Sequence, residues 1–206
     1  MLTAFTAGLL LITISELGDK TFFIAAILAM RHSRRLVFLG VIAALIAMTL
    51  LSAMMGQVVS LLPKHYVTFA GVALFIGFGL KLLYDASRMP AKTLCEEVEE
   101  AQETIDQSKL TRIAGDGKQQ GVVLQSFVLT FLAEWGDRTQ FATVTLAASN
   151  NAIGVTVGAI LGHAICALIA VMCGRLIAGR ISEQSVTVIG GGLFILFGIV
   201  AAVESV

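Results

Sequence analysis

The chain has 206 residues, 57% hydrophobic and only 14% charged, with a mean hydropathy of +0.89 and zero net charge at neutral pH. About 25% charged residues is usual in a soluble domain, so the composition excludes that class and points to an all-α membrane protein. The balanced charge gives no sign of a nucleic-acid surface, and three cysteines, Cys95, Cys166 and Cys173, supply no disulfide framework.

In chain order, six apolar stretches reach the length of about 20 residues that a membrane-crossing helix needs. They cover residues 4–30, 36–62, 67–87, 121–148, 152–178 and 185–203. The first lacks a basic lead and a cleavage site, so it is read as a retained span. Short polar breaks divide the rest: "RHSRR" (31–35), "PKHY" (63–66), "SNN" (149–151) and "GRISEQ" (179–184). One break is long. Residues 88–120 hold seven acids and five bases, 5 − 7 = −2, and read as a solvated acidic linker with a short helix. The alternative is a cation-attracting role near a pore mouth.

Lys and Arg alternate between loops. Three (Arg31, Arg34, Arg35), five (Arg88, Lys92, Lys109, Arg112, Lys118) and two (Arg175, Arg180) fall in the first, third and fifth breaks, against Lys64 alone in the second and none in the fourth. The positive-inside rule makes the richer loops cytoplasmic and leaves both termini outside.

The two halves are related. Subtracting 118 places Glu134, Gly136, Asp137, Arg138 and Thr139 on Glu16, Gly18, Asp19, Lys20 and Thr21, and Gly158 on Gly40. Residues 1–87 and 121–206 thus read as two three-helix repeats joined by the linker 88–120. Three is odd, so the second repeat enters the membrane from the opposite side: an inverted repeat, typical of secondary transporters with a midplane site.

The repeated motif carries the chemistry. "SELGDKTFF" (15–23) and "AEWGDRTQF" (133–141) put charges at the centre of apolar spans, where a lone charge costs about 2.5–3.5 kcal/mol on insertion scales. On an unbroken helix, Glu16 and Asp19 lie about 60° apart on one face, as do Glu134 and Asp137. A pseudo-twofold would then converge four carboxylates, an oxygen-only donor set suited to Ca²⁺, Mn²⁺ or Mg²⁺. Lys20 and Arg138 stand four residues after each Glu, spaced for Glu16–Lys20 and Glu134–Arg138 pairs. Four acids minus two bases leave −2, which one divalent cation or two protons would neutralise, and crowded carboxylates out of water exchange the two.

Other polar residues in these spans are weighed against packing. Thr21 and Thr139 lie on the far side of an unbroken helix and could contribute only if it loosens near the glycine. Thr130 and Ser15 are better placed, against the ordinary reading of a hydroxyl bonding its own helix. Gln140 is a polar neighbour without a counterpart, since Phe22 occupies that place. His163 reads as a packed, hydrogen-bonded histidine ahead of a proton relay. The Gly154, Gly158, Gly162 stripe reads as helix packing. Asp85, Lys81 and Glu183 stand near span ends and call for no special role.

The two copies of E-x-G-D-(K/R)-(T/S), one in each half of a six-span chain with an acidic central loop, resemble the Gdt-one-type family of cation transporters, which includes bacterial manganese exporters and Golgi Mn²⁺/Ca²⁺ transporters. The resemblance covers essentially the whole chain. It implies Mn²⁺ or Ca²⁺ transport against H⁺, with Glu16, Asp19, Glu134 and Asp137 binding the cation and Lys20, Arg138, Thr21 and Thr139 supporting them. The short chain resembles the bacterial branch, which implies manganese efflux across the inner (plasma) membrane. The metal is then cargo and the proton its coupling ion, with no resident cofactor. The alternatives are a Ca²⁺/H⁺ antiporter, then a divalent cation channel or an intramembrane metal-dependent enzyme; no nucleophile–base constellation accompanies the acids.

Overall fold

The computed structural model describes residues 1–88, 95–108, 119–177 and 183–204, and these are almost entirely helical. Lys92, Lys109, Arg112, Lys118 and Arg180 of the loop count lie outside the described residues.

The first apolar stretch is not one helix. α1 runs Leu2–Glu16 and α2 runs Lys20–Arg31. Between them Gly18 takes φ 82°, a left-handed conformation open to glycine because it has no Cβ to clash with the next carbonyl. Asp19 then opens α2 from an extended N-cap position. α3 (Arg34–Val59) and α4 (Lys64–Arg88) follow, with Pro63 accepting from the N–H groups of Tyr66 and Val67 at the start of α4. α5 is Cys95–Gln107.

The second half repeats the order. α6 (Gln119–Ala133) and α7 (Arg138–Ser149) are separated at Gly136, again at φ 82°. α8 is Ala152–Ile177 and α9 is Glu183–Glu204. The starts of α7 and α8 fall 118 residues after those of α2 and α3: 138 − 20 and 152 − 34.

Among the described residues, α3, α4, α8 and α9 are long and apolar enough to cross a membrane, while α1 and α6 are shorter apolar helices. Two of the six anticipated spans are therefore each split into two helices. Gly-Asp is the cause: the glycine ends one helix and the aspartate takes the extended N-cap position of the next, where the Asp137 side chain accepts from the Thr139 N–H. Only 28% of the apolar window of α4 and 22% of that of α9 is buried inside the molecule. The outward Phe69, Leu80, Leu196 and Ile199 form a surface suited to lipid rather than water.

The long helix of each half lies on the broken helix of the other. α3 packs on α6 and α7, and α8 packs on α1 and α2. A Cβ on Gly40 would fall 2.5 Å from the Val123 carbonyl, and one on Gly158 would overlap that of Phe5. The two contacts are displaced by the same step, 158 − 40 = 123 − 5 = 118. The glycine stripe of α8 thus does what the sequence suggested: it lets backbones touch. α4 and α9 pair with each other, with Phe75 against Phe194 at 5.8 Å.

α2 is buried along nearly its whole length, from Thr21 to Ala29. Val37, Val41 and Leu45 of α3 and Ala167, Ala170 and Val171 of α8 share its apolar cluster. So do Ala101 and Ile105 of α5, both fully buried. The linker is thus more than a solvated connection, since its helix docks on α2. Lys20 meets Glu100 at 3.7 Å and Arg31 meets Asp106 at 2.7 Å. Such half-exposed pairs contribute about 0–1 kcal/mol each, whereas burying an isoleucine is worth about 1.5–3 kcal/mol. The apolar face decides the docking and the ion pairs set its register.

Candidate cation site at the two helix breaks

The breaks meet. Glu16 is the last residue of α1, Glu134 follows α6, and Asp19 and Asp137 stand at the heads of α2 and α7. The ends of α1 and α6 present carbonyls, the partly negative ends of their dipoles, which suit a cation. The starts of α2 and α7 present N–H groups, which suit the carboxylates. Breaking the helices brings both kinds of end to one place.

Oxygens of Glu16, Glu134 and Asp137 lie within 4.8 Å of one another. Both glutamates are 3% exposed, and Oε1 of each has no hydrogen-bond partner. Thr21 donates from Oγ1 to Glu16 Oε2 at 3.2 Å. Thr139 donates from Oγ1 to Asp137 Oδ2 at 3.0 Å and to Glu134 Oε2 at 3.5 Å, and from its backbone N–H to Asp137 Oδ2 at 3.1 Å. The condition set by the sequence for these threonines is met, because the helix is broken at the glycine and the following turn brings them back to the acids. Ser15 and Thr130 are buried with unbonded hydroxyls. Gln140 serves the break itself: its Oε1 accepts from the Gly136 N–H at 2.7 Å.

Asp19 is held differently. Arg138 donates from Nη2 to Asp19 Oδ1 at 2.7 Å and to the Ser15 carbonyl at 3.5 Å, bridging the two halves. Lys20, its counterpart, turns away to Glu100 of α5. The expected pairs along each helix, Glu16–Lys20 and Glu134–Arg138, give way to these. Four-residue spacing aligns side chains only on a continuous helix, and a break lies inside each interval. The shared-face geometry of Glu16 with Asp19 and of Glu134 with Asp137 is replaced for the same reason.

Asp85, near a span end and expected to have no special role, also comes close to the first break. It borders a cavity of ≈ 150 Å³ with Ser15, Gly18, Asp19, Arg138 and Thr187. Its position near the end of a span gave no signal; the packing of α4 against α9 and the first break brings it there.

The donor set fits a hard divalent cation. Three carboxylates converge, two of their oxygens are buried and unbonded, and threonine hydroxyls brace one oxygen of each acid. Buried acceptors left open are costly unless something fills them, and oxygen clusters of this kind hold Ca²⁺, Mg²⁺ or Mn²⁺.

A helical chain of this apolarity, with two broken helices enclosing an acidic cluster, has the architecture expected of a membrane transporter for divalent cations. Comparison with known proteins gives the family. Residues 4–90 and 122–206 match the family described as the divalent cation/proton antiporter GDT1. A GDT1-like protein of Synechocystis is 61% identical over 202 residues, spanning 98% of this chain and 97% of that one. GDT1-like protein 4 of Oryza sativa subsp. indica is 44% identical over 95% of this chain and 72% of its own length. GDT1-like protein 5 of Arabidopsis thaliana is 41% identical over 97% and 95%. No solved structure matches. The chain belongs to the GDT1 family, and that membership makes it a divalent-cation transporter rather than an enzyme.

Proposed function

We propose that the protein is a secondary transporter that exchanges one divalent cation, Mn²⁺ exported from the cytoplasm, for protons. The cation is bound where the two helix breaks meet. The observation that carries this is the cluster of Glu16, Glu134 and Asp137 with its unbonded Oε1 atoms. Asp19 joins as the fourth carboxylate when Arg138 releases it. Exchange of M²⁺ for two protons leaves the charge of the site unchanged, so the two loaded states carry the same charge in the membrane interior.

The equal 118-residue step of the Gly40–Val123 and Gly158–Phe5 contacts supports reading residues 1–87 and 121–206 as inverted repeats around this site. The Lys and Arg distribution supports external termini and a cytoplasmic linker. The resemblance to the bacterial branch supports insertion in the inner (plasma) membrane. A machine working mainly on Ca²⁺ uses the same oxygen donors and is the competing reading.

The test is flux in proteoliposomes under an imposed pH gradient, with trapped indicators for Mn²⁺ and Ca²⁺. Proton-driven Mn²⁺ flux that is abolished in both Glu16→Gln and Asp137→Asn is the expected result. Flux indifferent to the pH gradient would replace the antiporter with a channel or uniporter.

A further inference from the structure

Asp19 and Asp137 hold matched places in the two halves, yet only Asp137 joins the carboxylate cluster. Asp19 is taken up by the Arg138 guanidinium at 2.7 Å. For Asp19 to reach a cation, that guanidinium has to leave it. Inside a membrane protein a guanidinium stripped of its partner is unfavourable, so its release calls for a second carboxylate within reach.

The cavity of ≈ 150 Å³ beside the first break holds one. Asp19 and Arg138 border it, and so does Asp85 of α4. The rest of its lining is apolar or carries a hydroxyl, as Leu82, Val186 and Thr187 do. Asp85 is half-buried and makes no hydrogen bond or ion pair among the described residues. The side chains of Arg138 and Asp19 are 27% and 17% exposed, so their pair is not locked in a dry core. The long arginine stem lets the planar head turn from one wall of such a cavity to another.

The other end of the α4–α9 pair holds the mate of this cavity, ≈ 400 Å³ in volume. Thr68, Gly71 and Ala201 line it where Thr187, Gly190 and Leu82 line the first, and 187 − 68 = 190 − 71 = 201 − 82 = 119. Its lining includes no charged residue. A duplicated architecture thus carries acids and a guanidinium at one end only, and packing of α4 against α9 by itself requires neither.

We propose that Asp85 is a positioning residue for the cation site: it receives Arg138 from Asp19 as the cation binds. The cation then supplies Asp19 with the positive charge that the guanidinium had supplied, and Asp19 completes the set with Glu16, Glu134 and Asp137. The inference rests on reading the carboxylate cluster as the cation site. It explains why one aspartate of a matched pair is held back: the site lacks its fourth carboxylate until the arginine moves.

The experiment titrates Mn²⁺ into the purified full-length protein and follows the free ion by electron paramagnetic resonance. Asp85→Asn keeps the shape of the side chain and removes its charge. It is expected to preserve the thermal unfolding midpoint and to weaken Mn²⁺ binding about tenfold; Asp85→Glu should restore most of the affinity. The hand-over also predicts coupling. In an Arg138→Gln background no guanidinium has to move, and in an Asp19→Asn background no fourth carboxylate waits for release. In each, Asp85→Asn should change the affinity by less than about twofold. Unchanged affinity in Asp85→Asn, a loss that Asp85→Glu does not restore, or the full tenfold loss in either background overturns the assignment and leaves the carboxylate site standing. Native protein that binds no Mn²⁺ removes the carboxylate site, and this inference with it.

Discussion

Glu16 and Glu134 each bury an oxygen that no protein donor meets, while their second oxygens accept from threonine hydroxyls of the following helix. The threonines therefore orient the acids and leave one oxygen of each glutamate unbonded. Partners of this kind are worth about 10–100-fold in metal affinity. Thr139 serves Asp137 and Glu134, whereas Thr21 serves Glu16. Thr139→Val should thus weaken Mn²⁺ binding in a titration of the purified protein by about tenfold or more, and Thr21→Val by less. Equal effects would mean that the hydroxyls act through packing alone. Arg138 and Lys20 occupy matched positions in the motif yet behave differently, one bridging to Asp19 and the other leaving for α5. The planar guanidinium suits a carboxylate, and the flexible ammonium reaches further out.

At the scale of elements, the breaks at Gly18 and Gly136 create the site. No heavy atom lies within 4 Å of a Cβ built on either glycine, so the obstacle to substitution is the backbone and not crowding. A left-handed alanine costs about 1–2 kcal/mol. Gly18→Ala and Gly136→Ala should each lower the thermal unfolding midpoint, and Gly136→Asn should lower it less, since asparagine visits this conformation more readily. An alanine variant as stable as the native protein would show that the break survives without glycine. The docked linker helix gives a second test. Ile105 is fully buried against α2. Ile105→Asp should release α5 and make it open to limited proteolysis. Glu100→Gln should not, because it removes only a half-exposed ion pair. Cleavage at the same rate in both variants would shift the weight from the apolar face to the charges.

For the whole molecule, the interlock of the halves is the structural fact on which the site depends. α3 and α8 cross over to the partner half at glycines that admit a backbone carbonyl. Gly158→Val would drive a side chain into the Phe5 carbonyl and should abolish the monodisperse peak in size-exclusion chromatography. Gly192→Val, where nothing lies within 4 Å, should leave it intact. A well-behaved Gly158→Val protein would mean that α1 and α8 can separate without loss of the fold.

The membrane class, the apolar stretches, the 118-residue offset and the two acidic motifs were legible in the sequence. They depend on composition and on positions along one chain, and hydrophobicity needs no partner to be counted. The breaks themselves were not legible, because a glycine inside an apolar span serves close packing as readily as a kink. The tertiary structure alone decided which charges meet. Arg138 reaches Asp19 across 119 residues, Lys20 turns to Glu100, and Asp85 and His163 come to cavities beside the acids from helix positions that carry no signal of it. Helical spacing could not foresee this, because it relates side chains on one continuous helix, and the site is built where two helices stop and four helix ends face one another.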